Sequence, residues 1–374
     1  MDWVAVATTP ILPAYGGANV RGIIPALMTP PDRRELPAWF PEPIRGADQV
    51  VLLLVDGLGW DQLQSHLSLT PTLAGMIGGP ITTVAPSTTS TALTSVVTGL
   101  EPAEHGILGY RIDVGGEVMN VLRWNTPAGD ARKRYPPRDI QPYPPFLGQD
   151  VTVVSKAELS GSGFTGAHLA GARMASWRVA SNMPVQIAAC LARGERVIYA
   201  YYDGIDKVAH EFGFGPYYDA ELRAVDRLVA DVLSALPTGA VLGVIADHGQ
   251  VDVGANLVTP TAEVLGMTRY QSGEGRFRWL HARRGAEAEM LAAATEAHGD
   301  VAWVVSKAQV IDEGWFGRQM SGPIAGRLGD VALVPYAPVS FDDPADSGSF
   351  PLVCRHGSLT AAEMHVPFLA ARGD

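Results

Sequence analysis

QVVLLLVDG, residues 49–57, is the stretch that decides the fold class. The run from Gln49 to Val55 is apolar after its first residue, rich in branched residues, and followed at once by Asp56 and Gly57. Such a run is typical of a strand that is buried on both faces of a sheet. Four similar runs follow along the chain: ITTV at 81–84, VTVV at 151–154, VIYAYY at 197–202 and VLGVIA at 241–246.

Helix-like segments separate these runs. Apolar residues recur with helical spacing at 89–98, 181–194 and 217–235. Repeated alternation of strand and helix predicts an α/β fold, with a doubly wound, mostly parallel sheet and helices on both faces. In such sheets ligands bind beyond the carboxyl ends of the strands. The residues that follow each apolar run are therefore the first candidates for a functional site.

The remaining segments define the expected domain organisation. Residues 1–47 contain many prolines and predict an extended N-terminal arm packed on the core. The catalytic α/β domain is expected to span 48–252 plus 346–374, with 253–345 inserted as a small α+β cap. Residues 124–147 combine six prolines with a basic cluster, which predicts an irregular surface excursion.

Charge and composition exclude several classes of protein. The 374 residues include 28 Lys and Arg against 39 Asp and Glu, a net charge of −11, so a nucleic acid polymer is not an expected partner. Only two cysteines occur, which excludes a disulfide framework and favours a reducing compartment. No apolar window is long enough for a membrane span, and the N-terminus lacks the layout of a signal peptide. We expect a soluble, cytoplasmic protein.

Potential metal ligands follow three of the apolar runs. Asp56 ends the first, Asp206 and His210 lie in DGIDKVAH after the fourth, and Asp247 and His248 follow the fifth. A His-Gly pair at His356 lies near the C-terminus. Together they are three carboxylates and three imidazoles, ligands that suit zinc. Each word taken alone also fits a turn, an i, i+4 ion pair or a helix cap.

A hydroxyl-rich segment adds a possible nucleophile. In APSTTSTALTSVVTG, residues 85–99, eight of the thirteen residues from Pro86 to Thr98 are Ser or Thr. If this segment turns from a strand into a helix, an alcohol and several backbone N–H groups would face an anion at the helix N-terminus. An N-cap followed by a polar helix is the simpler alternative.

The order of these sequence motifs resembles that of the alkaline phosphatase superfamily, most closely its nucleotide pyrophosphatase/phosphodiesterase branch. The words are VDGLGWD, PSTTSTALTSVVTGLEPAEHGI, DGIDKVAH, ADHG and RHG, spread from about residue 49 to residue 369. The resemblance implies a two-metal hydrolase with Thr89 as nucleophile, although the hydroxyl run leaves Ser87, Thr88 and Ser90 as alternatives. It implies one cation held by Asp56, Asp247, His248 and the nucleophile's oxygen, and a second held by Asp206, His210 and His356. Zinc suits these ligands best, and manganese or iron could bind them too.

One departure from the branch affects the expected substrate. An asparagine that commonly contacts a phosphoryl oxygen is replaced here by Tyr110, followed by Arg111. We assign both as substrate-binding residues, since a guanidinium can form a bidentate pair with a phosphoryl group.

These residues leave several functional hypotheses open. The leading one is hydrolysis of a phosphodiester or pyrophosphate bond in a small, nucleotide-like molecule through a phosphoryl-threonine. The alternative is a phosphomonoesterase, phosphonate or sulfate hydrolase that uses the same site. A phosphomutase would require a serine nucleophile, and a non-catalytic metal-binding module is disfavoured because no ligand is missing. The sequence does not predict the oligomeric state.

Overall fold

A seven-stranded sheet forms the centre of the structure, a computed structural model that describes residues 9–30, 35–346 and 352–373. In spatial order its strands are β2 (Ile77–Thr82), β19 (His365–Arg372), β10 (Ala240–Ile245), β1 (Gln49–Val55), β9 (Val197–Tyr202), β7 (Thr152–Val154) and β8 (Arg173–Met174). Every neighbouring pair is parallel except the two that β19 makes with β10 and β2. The predicted mostly parallel α/β sheet is confirmed.

The register of the central strands aligns their carboxyl ends. Leu54 of β1 lies beside Ile245 of β10 on one side and Tyr201 of β9 on the other. Because parallel strands in register end at the same edge, the residues that follow these three strands meet there. The side chains of β1 are almost fully buried, as a strand covered on both faces requires.

Helices cover both faces of this sheet. On one side α4 (Thr89–Thr98) packs against α1 (Ile23–Met28) and α7 (Gly163–His168), and on the other α10 (Pro216–Ser234) packs against α8 (Met183–Ala192). The other helices are α2 (Trp60–Ser65), α3 (Pro71–Ala74), α5 (Pro102–His105), α6 (Pro137–Ile140), α9 (Gly204–Phe212), α11 (Ala262–Met267), α12 (Glu287–His298), α13 (Lys307–Asp312), α14 (Gly322–Ala325) and α15 (Ala361–Met364). Within the described residues, no helix is both long enough and apolar enough to cross a bilayer.

A second, antiparallel sheet is formed by the segment that lies between β10 and β19 in sequence. Its strands in spatial order are β13 (Thr268–Glu274), β14 (Phe277–Ala282), β16 (Val331–Pro335) and β15 (Ala302–Ser306). It has a small apolar core of its own, to which Met290 and Ala294 of α12 contribute. We call this sheet and its helices the cap.

A fully buried ion pair joins the cap to the domain that contains the central sheet. Arg276, in the turn between β13 and β14, donates from Nε to Glu363 Oε1 at 2.7 Å and from Nη2 to Oε2 at 2.8 Å. Glu363 Oε1 also accepts the Ser358 N–H at 3.0 Å. Bidentate geometry and an additional donor are what a buried pair needs to offset its loss of hydration.

Three smaller sheets complete the strands. The first contains β3 (Arg111–Val114), β4 (Glu117–Asn120), β5 (Asn125–Thr126) and β6 (Gly129–Asp130); the others pair β11 (Val251–Asp252) with β18 (Cys354–Arg355), and β12 (Leu257–Val258) with β17 (Ser340–Phe341). The excursion predicted to be irregular at 124–147 therefore begins with the short β5–β6 hairpin. Its remaining residues contain only α6 and a short 3-10 turn.

The N-terminal arm is not extended throughout. Residues 1–8 and 31–34 of the predicted arm lie outside the described residues. A 3-10 turn at Val20–Gly22 leads into α1, and the buried side chains of Val20, Ile23 and Leu27 pack into the main core. Pro25 is compatible with this helix because it occupies the first turn, where its missing N–H has no intrahelical acceptor.

His105 at the end of α5 gives a prediction about stability. The His105 Nδ1 accepts the Ile107 N–H at 3.1 Å, its Nε2 lies 2.8 Å from Ser95 Oγ, and burial lowers its pKa to about 3. An unfolded chain protonates this imidazole below about 6.5, whereas the folded chain does not until about 3. The folded state therefore loses stability as pH falls between these values.

We expect His105→Gln to flatten this dependence. The free energy of unfolding of the wild type should fall more steeply than that of the variant between about pH 6.5 and 4.5, by up to about 1.4 kcal/mol per pH unit. Urea unfolding at a series of pH values measures both slopes. Equal slopes would contradict this prediction, because they would show that folding does not change the pKa of His105.

Candidate active site

The first group of predicted ligands meets where β1 and β10 end. His248 Nε2 lies 3.4 Å from Asp56 Oδ1, 3.5 Å from Asp247 Oδ2 and 3.1 Å from Thr89 Oγ1. All four side chains are buried. The ends of two adjacent strands and the start of α4 thus bring four possible donor atoms close together.

The turn after β1 depends on Gly57. Its φ of +76° lies in the left-handed region, and its N–H donates to Asp247 Oδ1 at 3.1 Å. A Cβ at this position would lie 3.0 Å from the Cα of Asp206 and 2.7 Å from the Gln250 amide nitrogen. Glycine is therefore required both by the backbone conformation and by the close approach of the second ligand group.

The second group consists of Asp206 and His210 on α9, together with His356. Asp206 Oδ1 lies 3.2 Å from His210 Nε2 and 3.8 Å from His356 Nε2. The i, i+4 spacing on one helix places the first two side chains on the same face. Asp206 is also close to Asp56 and His248, so the two groups are contiguous.

All three imidazoles are oriented in the same way. Each Nδ1 faces a backbone carbonyl oxygen, from His248 to Gly249 at 3.0 Å, from His210 to Cys354 at 2.7 Å and from His356 to Ser87 at 3.0 Å. A carbonyl accepts only from N–H, so in the neutral imidazole the proton is on Nδ1 and Nε2 keeps its lone pair. This is the arrangement in which histidines bind metals through Nε2.

The electrostatics of the pocket also fit a cation. Burial raises the pKa of Asp56 well above its usual range, and repulsion from Asp247 and Asp206 raises it further. Burial likewise raises the pKa of Asp247 and lowers that of His356. Among the described residues, neither Asp56 Oδ1 nor Asp247 Oδ2 has a hydrogen-bond partner. Two buried carboxylate oxygens without donors are costly alone and are natural ligands for a divalent cation.

The structure separates Thr89 from the neighbouring hydroxyls. Ser87 Oγ donates to the Ser358 carbonyl at 2.6 Å, and Ser90 Oγ donates to the Gly109 carbonyl at 2.8 Å. Thr88 precedes α4 and its hydroxyl interacts with Glu274. Thr89 is the first residue of α4, and its hydroxyl lies beside His248.

The two residues proposed for substrate binding have different surroundings. Tyr110 lies just before β3, and its hydroxyl interacts with Asn120. Arg111 is buried, and its Nη1 lies 2.5 Å from Asp343 Oδ2 and 3.9 Å from Asp346 Oδ2. Both contacts use the same terminal nitrogen of Arg111, and they join β3 to the end of the predicted 253–345 segment.

Three site residues were not predicted. Tyr201 donates its hydroxyl to Asp56 Oδ2, and Gln250 Nε2 donates to Asp206 Oδ1 at 2.8 Å. Glu274, at the end of β13 in the cap, lies 3.9 Å from His356 Nδ1, and burial raises its pKa to about 8. Strand alternation could have identified Tyr201 as inward-facing, and Gln250 directly follows the Asp-His-Gly word. No local pattern singles out Glu274.

A mostly parallel sheet with a hydroxyl and six Asp and His side chains beyond its carboxyl edge is an arrangement that suits a metal-dependent hydrolase of phosphoric esters. The sequence matches the family model of type I phosphodiesterase / nucleotide pyrophosphatase over residues 50–169 and 171–357. The chain belongs to that family. No curated protein sequence matches it significantly.

Solved structures share the fold at low sequence identity. Murine ectonucleotide pyrophosphatase/phosphodiesterase 5, inactive and in complex with AMP, is 14% identical with a TM-score of 0.67, covering 87% of this chain and 88% of its own. The human protein of the same name is 16% identical with a TM-score of 0.66, covering 87% and 88%. Phosphonoacetate hydrolase from Sinorhizobium meliloti, in complex with phosphonoformate, is 16% identical with a TM-score of 0.59, covering 87% and 90%.

Proposed function

We propose that this protein hydrolyses a phosphodiester or pyrophosphate bond in a small, nucleotide-like molecule, with Thr89 as nucleophile and a phosphoryl-threonine intermediate. The observation that carries the proposal is the position of the Thr89 hydroxyl, 3.1 Å from His248 Nε2 at the start of α4. The competing hydroxyls of Ser87 and Ser90 instead donate to backbone carbonyls.

Two divalent cations fit the residues present. Asp56, Asp247, His248 and the Thr89 oxygen would hold one, and Asp206, His210 and His356 would hold the other. Mixed carboxylate and imidazole donors favour zinc, with manganese as the second choice. Bound cations at these positions would lower the pKa of the threonine hydroxyl and offset the charge that develops on the leaving oxygen.

The chain's own groups supply orientation. The first turn of α4 has backbone N–H groups without intrahelical acceptors, and these favour a phosphoryl group beside Thr89. In the first displacement Thr89 Oγ bonds to phosphorus as the bond to the departing alcohol or phosphate breaks, and the departing oxygen takes up the proton that the threonine gives up. In the second, water attacks the same phosphorus, the bond to Thr89 Oγ breaks, phosphate or its ester is released, and one proton of the water restores the threonine hydroxyl. His248, whose Nδ1 is fixed by the Gly249 carbonyl, keeps its orientation through both steps.

The family model favours a diester or pyrophosphate substrate, because it describes type I phosphodiesterases and nucleotide pyrophosphatases. The alternative of a monoester, phosphonate or sulfate substrate rested on Tyr110 and Arg111. Arg111 is paired with Asp343 through one nitrogen, and the fold shared with phosphonoacetate hydrolase also favours this alternative.

A direct test compares bis(p-nitrophenyl) phosphate with p-nitrophenyl phosphate, with zinc, manganese or a chelator, alongside elemental analysis. We expect about two metals per chain and faster cleavage of the diester. Two metals with faster monoester cleavage would replace the diester proposal by the phosphatase alternative. Metal binding without turnover of either ester would contradict an ester hydrolase.

A further inference from the structure

A cavity of about 250 Å³ extends from Thr89 into the protein along one face of the central sheet. Side chains of β9 and β7 form its floor. Tyr201 lies at the level of the metal ligands, and Tyr199 lies two residues further in. Since residues i and i+2 of a strand share a face about 6.6 Å apart, the cavity continues inward by roughly that distance.

The walls of the cavity are mainly apolar. Leu93 of α4 lies one helical turn beyond Thr89, and Val153, Phe164 and Leu169 line the cavity from β7, α7 and the residue after α7. A space of about 150 Å³ accommodates a benzene ring. This cavity therefore has room for a ring that carries one small substituent.

Two polar groups line the inner part. The Tyr199 side chain is 1% exposed, and its hydroxyl has no hydrogen-bond partner within the described residues. His168 Nδ1 faces the Phe164 carbonyl at 2.7 Å, and its ring stacks on that of Phe164 with centroids 4.0 Å apart. The imidazole therefore carries its proton on Nδ1 and offers Nε2 as an acceptor. A buried hydroxyl without a partner is uncommon and indicates a group that a ligand completes.

These polar groups are uncharged. Burial lowers the pKa of His168 to about 4 and raises that of Tyr199 well above its usual range. Tyr199 and His168 offer no counter-ion to a charged substituent in the inner part of the cavity, which would lose its hydration there. Lys207 also lines the cavity, and its ammonium is paired with Asp203. A neutral substituent with one hydrogen-bonding group would instead satisfy Tyr199.

We propose that Tyr199 and His168 determine specificity by binding a neutral, hydrogen-bonding substituent at the far end of a ring-sized organic group of the ester. This inference deepens the proposed function and rests on it. The group enters with the ester phosphorus at Thr89, its apolar ring against Leu93 and Phe164, and its polar end at Tyr199. The charged phosphoryl group stays with the metal ligands.

Three methyl aryl phosphodiesters test the inference: phenyl, 4-carbamoylphenyl and 4-carboxyphenyl. We expect wild-type kcat/KM to be highest for the carbamoyl ester and lowest for the carboxylate. In Tyr199→Phe, the ratio of carbamoyl to phenyl kcat/KM should fall about tenfold, since a buried polar group of the substrate loses its partner. Differences in leaving-group reactivity cancel because the same two esters are compared in both proteins.

Tyr218→Phe is the matched control. Tyr218 on α10 is also fully buried with a hydroxyl that has no partner in the described residues, and it does not line the cavity. It should leave the ratio unchanged. An unchanged ratio in Tyr199→Phe, or rapid cleavage of the carboxyphenyl ester, would overturn the inference.

A binding experiment separates this inference from the proposed function. Thermal stabilisation by 4-hydroxybenzamide should exceed that by phenol in the wild type, and Tyr199→Phe should abolish the difference. If the wild type shows this pattern but cleaves none of the esters, the proposed function fails and the specificity assignment stands. If esters are cleaved while both compounds stabilise equally, only the specificity assignment fails.

Discussion

Thr89→Ala abolishes turnover of the ester while the purified protein keeps most of its metal: this is the result expected if Thr89 is the nucleophile. Its hydroxyl is the one at the start of α4 that faces His248, and removing the attacking atom leaves only binding and electrostatic contributions to catalysis. We expect kcat to fall by at least about a thousandfold. Steady-state kinetics and elemental analysis of the same preparation measure both effects.

Thr91→Val provides the control for this experiment. Thr91 lies on the same helix, is fully buried, and its hydroxyl has no partner among the described residues. Valine preserves its shape, so this variant should retain most of the activity. Substantial turnover by Thr89→Ala, with loss of turnover in Ser90→Ala, would move the nucleophile to Ser90 and reopen the phosphomutase hypothesis.

The second large effect is expected for Asp247→Asn. The amide oxygen can still accept the N–H groups of Gly57 and His248, which Asp247 Oδ1 now accepts at 3.1 Å. The change therefore removes a charge and a metal ligand while keeping the local hydrogen bonds. We expect the metal content to fall towards one per chain and kcat to fall by at least about a hundredfold.

Asp226→Asn is the matched comparison. Asp226 is also buried and accepts two backbone N–H groups, from Thr72 at 3.2 Å and Leu73 at 2.9 Å, at the start of α3. It lies outside the ligand groups, so this variant should lose stability but keep its metal. Equal metal content in both variants would contradict the role of Asp247 as a ligand.

Much of the site could be predicted because its residues follow strands with strong local signals. The apolar runs at 49–55 and 197–202 match β1 and β9 residue for residue, and α4 spans the predicted 89–98. The strand predicted at 81–84 overlaps only the end of β2, which spans Ile77–Thr82 and lies at the edge of the sheet. Local hydrophobicity indicates where strands occur along the sequence. The position of a strand within the sheet depends instead on pairing between distant segments.

The contacts that could not be predicted join segments that are distant in sequence. Glu274 reaches the site from the cap, and Arg111 forms an ion pair with Asp343, near the end of the predicted 253–345 segment. The sequence shows that a guanidinium is present beside Tyr110 but not which carboxylate lies against it. Both contacts, that of Glu274 with the site and that of Arg111 with Asp343, depend on how the inserted segment folds against the central sheet domain.

The buried pair between Arg276 and Glu363 limits how this protein can be altered by exchange of segments. Breaking such a pair by replacing one partner typically costs about 3–5 kcal/mol, a large part of the stability of a folded domain. Glu363 lies seven residues after His356 and accepts the Ser358 N–H, so the cap is coupled to the segment that carries one of the proposed metal ligands. A cap transplanted from a relative must therefore supply an arginine at position 276, or Glu363 must change with it. In this fold, we expect the sequence of the inserted cap and the sequence around His356 to change together in evolution.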